Sequence, residues 1–133
     1  MASDTSLNPH IRDNHSDLQA LTRSAIRRYG DFAPNTIEGE AALMFVELAN
    51  MIVDEINQHP YWLDDPIEYY THMTDARPIP DMIITNGLLF QYSLQQGSPK
   101  SNLYGPMFYQ TMNKRLYQKN FGTGKIALQV HDR

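Results

Sequence analysis

Apolar and polar residues recur with helical spacing over most of the chain, most clearly from Ile37 to Trp62. In that stretch Ala41, Phe45, Leu48, Ala49, Ile52, Val53 and Ile56 fall at steps of three and four, which gathers them on one face of an α-helix. Glu40, Glu47, Asn50, Asp54 and Asn57 take the opposite face. The stripe is wider than a coiled-coil seam, so the helix belongs in a globular core. His59-Pro60 ends it, because proline cannot continue the hydrogen-bond ladder and pushes the residue before it out of helical geometry. Tyr61 and Trp62, the only tryptophan, follow at once.

The same reading predicts three further helices. The first begins near Asp13 or Ser16, either of which can cap it, and buries Leu18, Leu21, Ala25, Ile26 and Tyr29. Arg23, Arg27 and Arg28 sit in its last turns and oppose the negative end of the helix dipole. Gly30 suits a C-terminal cap. After the loop Asp31 to Asn35, Thr36 is the expected cap of the central helix, with Gly39 a weak spot in its first turn. Beyond Trp62 the chain is punctuated by Pro66, Pro78 and Pro80. Proline at a first helical position is a start signal, so Pro66 to His72 is expected to form a short helix within an otherwise extended connection.

Asp81 opens the next long helix. Met82, Ile83, Ile84, Leu88, Leu89, Phe90, Tyr92 and Leu94 cover most of its circumference, the mark of a helix buried centrally or by neighbouring subunits. Gly87 in its interior costs about 1 kcal/mol relative to alanine, and close approach by another helix would offset that. Gly97, Ser98 and Pro99 end it. The last helix starts between Ser101 and Pro106, with Pro106 expected in its first turn and Met107 to Phe121 its firm part. Phe108, Met112, the Arg115 stem or Leu116, and the Lys119 stem trace one side, extended by Tyr109, Leu116 and Tyr117, with Lys114, Arg115 and Lys119 towards its C-terminal half. The fold class is therefore all-α: a small antiparallel bundle of about four main helices, spanning residues 13–121.

Two flanking segments break the helical pattern. Residues 1–12 are polar with no periodicity and read as an arm. Residues 122–133 form a tail hinged on Gly122 and Gly124, in which Ile126, Leu128 and Val130 alternate with Lys125, Ala127, Gln129 and His131. That is strand period. A lone strand cannot satisfy its own backbone groups. The tail therefore lacks order, pairs with an extended segment of its own domain, or adds to another protein's sheet.

Composition narrows the function. A chain of 133 residues is one domain by length. A net charge of −4 argues against a general nucleic-acid binder. With no cysteine there is no disulfide, zinc-thiolate site or thiol catalysis. The start lacks the basic and apolar regions of a signal peptide, and no run is long enough to span a bilayer, so a soluble intracellular protein is expected. Charged residues are sparse while Tyr and Met are plentiful; such surfaces suit partner interfaces, and the same residues equally suit a well-filled core. Trp62, Tyr69, Tyr70, Phe90, Tyr92, Tyr109 and Tyr117 are the candidates for subunit-interface or packing roles.

Catalytic signals are weak. Glu55 with His59, and Glu68 with His72, are four apart, whereas a di-metal bundle needs Glu and His three apart, twice, plus glutamates from two other helices; no metal or other cofactor is expected. Asp64, Asp65 and Glu68 cluster near Trp62, and paired carboxylates beside an aromatic can do acid–base work on a sugar, but they also simply favour helix starts. Gly122 to Lys125 follows a helix rather than a strand and lacks P-loop spacing. The expectation is that the chain is not an enzyme and has no catalytic residue. A small helical interaction module or regulator is the alternative, and a hydrolase using Asp64, Asp65 or Glu68 is a third.

One family has this order of features. A first helix ends in Arg27 to Gly30; a long helix carries Ala42, Ala49 and Glu55 and ends in His59 to Trp62; a proline-broken connection leads to the helix Asp81 to Gly97; a Tyr-rich helix ends in a glycine-hinged tail. This layout, over about Asp17 to the C-terminus, resembles the head-to-tail adaptor (connector, or head-completion) proteins of tailed bacteriophages. The resemblance rests on layout and a few signature positions, and on no catalytic motif. It implies a structural virion protein of the neck, made in the host cytoplasm, whose copies form a ring, usually a dodecamer, beneath the portal protein and above a downstream neck, tail or nozzle protein. The ring would extend the channel for double-stranded DNA without reading its sequence, and the tail Lys125, Ile126, Ala127, Leu128, Gln129, Val130, His131 would dock on the portal. No membrane partner is implied. A channel wall that does not grip phosphates is compatible with net acidity, and a ring repeats one heterologous interface. The polar arm has no counterpart in the family pattern.

Overall fold

The computed structural model describes residues 15–121. Four helices follow in order: α1 (Leu18–Tyr29), α2 (Gly39–Asn57), α3 (Asp81–Gln95) and α4 (Ser101–Phe121). Among the described residues the only β pairing is a single antiparallel bridge, Asp17 to Ala76. The all-α bundle expected from the periodicity is the fold observed. The arm 1–12, Asp13 and Asn14, and the tail 122–133 lie outside the described residues.

The packing centres on α3, which lies against α1, α2 and α4. Every residue from Ile83 to Leu89 is buried. The helix is therefore wrapped within one chain, and needs no second subunit to explain its apolar circumference. Of its apolar residues only Met82 and Leu94, near its two ends, stay exposed. Gly87 is what lets two neighbours approach together. A Cβ built there would lie 2.6 Å from Ile52 Cδ1 of α2 and 3.0 Å from Phe108 Cε1 of α4. Buried Phe45, Leu48, Ala49, Ile52, Val53 and Ile56 form the inner face of α2, while Ala41 is exposed.

Helix ends follow local chemistry. Asp17 caps α1, its carboxylate accepting the Ala20 N–H at 2.9 Å. Ser16 has another task, donating its N–H and hydroxyl to the Asp81 carboxylate at 2.9 and 2.7 Å and tying the start of α1 to the start of α3. The Leu18 and Gln19 N–H groups donate to the Asp75 and Met73 carbonyls, so the first turn of α1 leaves few orphan donors. Helices α1 and α3 both end in a Schellman arrangement with a left-handed glycine, Gly30 (φ 110°) and Gly97 (φ 64°). Asp31 and Ser98 donate back to the Ile26 and Ser93 carbonyls.

Two local expectations are corrected. Thr36 does not cap α2. The helix starts later, with Glu38 at the cap position and no side-chain cap bond, and Gly39 takes a left-handed φ of 64° at the junction rather than weakening a regular first turn. Pro106 lies beyond the first turn of α4. It is tolerated because it is exposed, and because the helix opens on a tight turn whose Ser101, Asn102 and Leu103 N–H groups donate to the Ser98, Pro99 and Lys100 carbonyls.

Gly87→Ala should cost about 1–3 kcal/mol of stability by overpacking, read as a lower urea midpoint with an unchanged slope. Pairing it with Ile52→Val should recover part of the loss; a neutral Gly87→Ala would contradict the close three-helix approach.

Candidate functional site

The region from Trp62 to Pro80 joins α2 to α3 and is the most specifically held irregular part of the molecule. No helix forms over Pro66 to His72. The backbone groups that a helix would pair internally are taken by α2. Asn57 Oδ1 accepts the Ile67 N–H at 2.8 Å and its Nδ2 donates to the Ile67 carbonyl at 3.1 Å. Asn50 does the same for Tyr70, at 2.7 and 3.0 Å. Between these two rungs the Tyr69 hydroxyl donates to Asp54 at 2.7 Å. The rungs match because seven helical residues advance about 10.5 Å, close to the roughly 9–10 Å spanned by three extended residues. Pairing 57 with 67 and 50 with 70 makes the connection antiparallel to α2. The polar face of α2 is thus a clamp, and no plain solvated surface.

The next turn is held by Asp75 and Arg77. Asp75 accepts the Thr71 N–H (2.8 Å), the Thr71 hydroxyl (2.9 Å) and the His72 N–H (3.0 Å). These donors, with Arg77 nearby, hold its carboxyl down at about 2, well below the ordinary 3.8. The Arg77 guanidinium donates to the Glu68, Tyr69 and Ala76 carbonyls and lies 5.3 Å from the Tyr70 ring centroid. Tyr70 is buried, and that burial pushes its hydroxyl pKa up.

The outer side of the connection forms a groove of about 750 Å³. Trp62 and Ile67 form part of its wall, with Pro66 and Pro78 beside them and Asp64, Asp65 and Glu68 along it. Trp62 is 9% exposed. Its indole N–H donates to the Asp65 carbonyl at 3.0 Å, and Lys119 Nζ lies 5.6 Å from its ring while pairing with Asp64 at 3.3 Å. The three carboxylates suspected of acid–base work share one groove wall, with Asp64 already paired. His59 uses both ring nitrogens structurally: Nδ1 accepts the Tyr61 N–H at 3.0 Å and Nε2 meets Asn113 Oδ1. No group of three or more His, Asp or Glu side chains able to hold a metal ion occurs among the described residues.

The aromatic candidates separate into two groups. Trp62 and Tyr70 are buried within the chain. Phe90 is half-buried against Phe108 and Tyr109 and abuts Gly105, where a Cβ would lie 2.9 Å from its ring. Tyr117 packs on Tyr61 and Phe121. Tyr92 packs on Tyr29 and Phe45 and donates its hydroxyl to Asp31 at 2.8 Å; burial first, then that bond, push its pKa up to about 12. Tyr69 and Tyr109 remain exposed. The Asp54 bond raises the Tyr69 pKa, and burial then Glu55 raises that of Tyr109. The docking candidates Lys125 to His131 lie outside the described residues.

A second surface was not singled out from sequence. The Tyr92–Asp31 bond and the Lys100 Nζ donation to the Tyr29 carbonyl at 2.9 Å mark the opposite end of the bundle. There Phe32 (88% exposed), Leu43 (64%), Leu94 (50%) and Leu103 (64%) each lie within three residues of that bonded group or of Phe45, which stacks on Tyr92. Periodicity counted Leu94 among the apolar positions of its helix but did not single out Phe32, Leu43 or Leu103, which sit near a helix end or in a loop, where exposure is not periodic.

No family model, curated protein or solved structure matches this chain. No helix among the described residues is long and apolar enough to cross a membrane.

Asn57→Ala should cost about 1–3 kcal/mol, since it strands the Ile67 N–H and carbonyl, and should speed amide exchange at Ile67 more than in α3. Uniform exchange changes would deny Asn57 a local clamping role. For Asp75 the lowered pKa means its contribution is full above 3.8 and is lost as pH falls through about 2. The stability gap between wild type and Asp75→Asn should narrow over that window; a pH-independent gap would show that the carboxylate's hydrogen bonds are not what holds the turn.

Proposed function

We propose that this chain is a structural head-to-tail adaptor of a tailed bacteriophage, forming a ring of about twelve copies between the portal and a downstream neck, tail or nozzle protein. It acts without catalysis and lets double-stranded DNA pass through the channel it extends. The observation that carries this reading is that four large apolar side chains towards one end of the bundle, Phe32, Leu43, Leu94 and Leu103, are half or more exposed. A small bundle with a closed core has no internal use for such side chains, and apolar surface left in water suits association. A surface at one end of the bundle, meeting a different surface of the next copy, gives the heterologous contact that closes into a ring. The helix layout and the strand-patterned tail of residues 122–133 support the same reading. The alternative, a small interaction module acting as monomer or dimer, shares the apolar end but not the ring.

Co-purification with a portal ring, analysed by native mass, separates the two. The full chain should bind as a ring of about twelve copies. Phe32→Asp with Leu103→Asp should lower ring occupancy at least ten-fold, which corresponds to about 1.4 kcal/mol, while leaving helical circular dichroism unchanged. Unchanged occupancy would remove the apolar end from the ring contact, and binding of one or two copies would favour the module.

A further inference from the structure

The geometry points to the groove beside Trp62 as the seat of the chain's own C-terminal segment, Lys125 to Val130, bound in cis when the protein is free. Three observations on the groove and the chain's path carry this.

The first is where the described chain ends. Phe121 packs on Tyr117 and Tyr61, next to Trp62. Lys119, two residues earlier, already lies in the groove wall on Asp64. Residues 122–124 can span at most about 10 Å, which delivers Lys125 to that wall.

The second is charge. Lys119 occupies Asp64, and the Arg77 guanidinium is taken up by three backbone carbonyls. The exposed acids left along the groove are Asp65 and Glu68. The seated segment, Lys125 to Val130, carries one cation and no acid. Residues 1–14 bring two acids, Asp4 and Asp13, that an acidic wall would repel.

The third is pattern. Ile126, Leu128 and Val130 fall on one side of an extended chain, and the groove offers Trp62, Ile67 and two prolines to meet them.

The inference concerns the free chain and does not depend on the ring reading, so either can fail without the other. The chain has one tryptophan and no cysteine, which permits a direct test. Gln129→Cys, on the outward side of the segment, carries a nitroxide, and Trp62 emission in the full chain is compared with that of a diamagnetic analogue. Quenching of at least two-fold is expected, unchanged on dilution, and relieved by Asp65→Lys with Glu68→Lys. These acids are exposed and lie outside any helix, and circular dichroism verifies that the fold is retained. Absent quenching overturns the proposal. Quenching that grows with protein concentration also overturns it, by assigning the groove to a second copy's tail. Quenching that survives the charge reversal overturns the electrostatic seating.

Discussion

The molecule depends on a point where three helices approach at Gly87. Helix α3 is buried along its whole middle, so both α2 and α4 must reach it at close range. A side chain at 87 would collide with Ile52 and with Phe108. Helix propensity disfavours glycine at this position by about 1 kcal/mol, yet packing density rules the interior, because dispersion is lost steeply with every fraction of an ångström of gap. The largest fully buried side chains of α2 and α4, Ile52, Ile56, Phe108, Met112 and Leu116, are the ones this approach brings in. Phe90 on Gly105 repeats the device between α3 and α4.

With the interior closed this way, the long connection from α2 to α3 needs a separate means of order. It has few apolar anchors, mainly Trp62, Ile67, Tyr70, Met73 and Ile79, and few of its backbone groups pair with each other, as Asp75 with His72 and Ile79 with Arg77 do. Asparagine solves this because its amide carries a donor and an acceptor in the geometry of a peptide group. Asn50 and Asn57 therefore act as a surrogate strand printed on a helix. The Arg77 guanidinium then takes up carbonyls on the outer side. The connection is held from two sides, which is what gives the groove a defined wall.

This division explains what was legible in the sequence. Helices α1 to α4 were, because period and glycine placement agree: Gly30 and Gly97 stand where left-handed caps are needed, and Gly87 stands where an otherwise good helix tolerates a poor residue. Pro66 to His72 was misread because Pro66 after two aspartates is a local start signal, and the competing claim on Ile67 and Tyr70 comes from residues ten and twenty positions away. Asn50 and Asn57 looked like ordinary polar-face residues, since nothing in a hydropathy pattern distinguishes an asparagine facing water from one facing a backbone. Their spacing of seven was the available signal. Thr36 was a reasonable cap by residue type, but the turn at Gly39 places the helix start two residues later. Of the aromatic candidates in the connection, the pattern could name Trp62 and Tyr70 and could not separate them from exposed Tyr69, because burial in an irregular segment has no period.

The two surfaces left over are unlike each other, and their placement is itself an argument. The apolar end collects where α1 and α3 finish and α2 and α4 begin. The groove lies at the other end, where α2 and α4 finish and where the described residues begin and end. A symmetric dimer needs one surface that matches itself, whereas a directional array needs two that differ. One pole carries Phe32, Leu43, Leu94 and Leu103, while the other carries the groove lined by Asp64, Asp65 and Glu68 together with exposed Leu63. An apolar pole can pair with its own copy in a symmetric dimer or with a different surface in a ring, so the choice between the two turns on what the apolar end meets and not on the contrast between the poles.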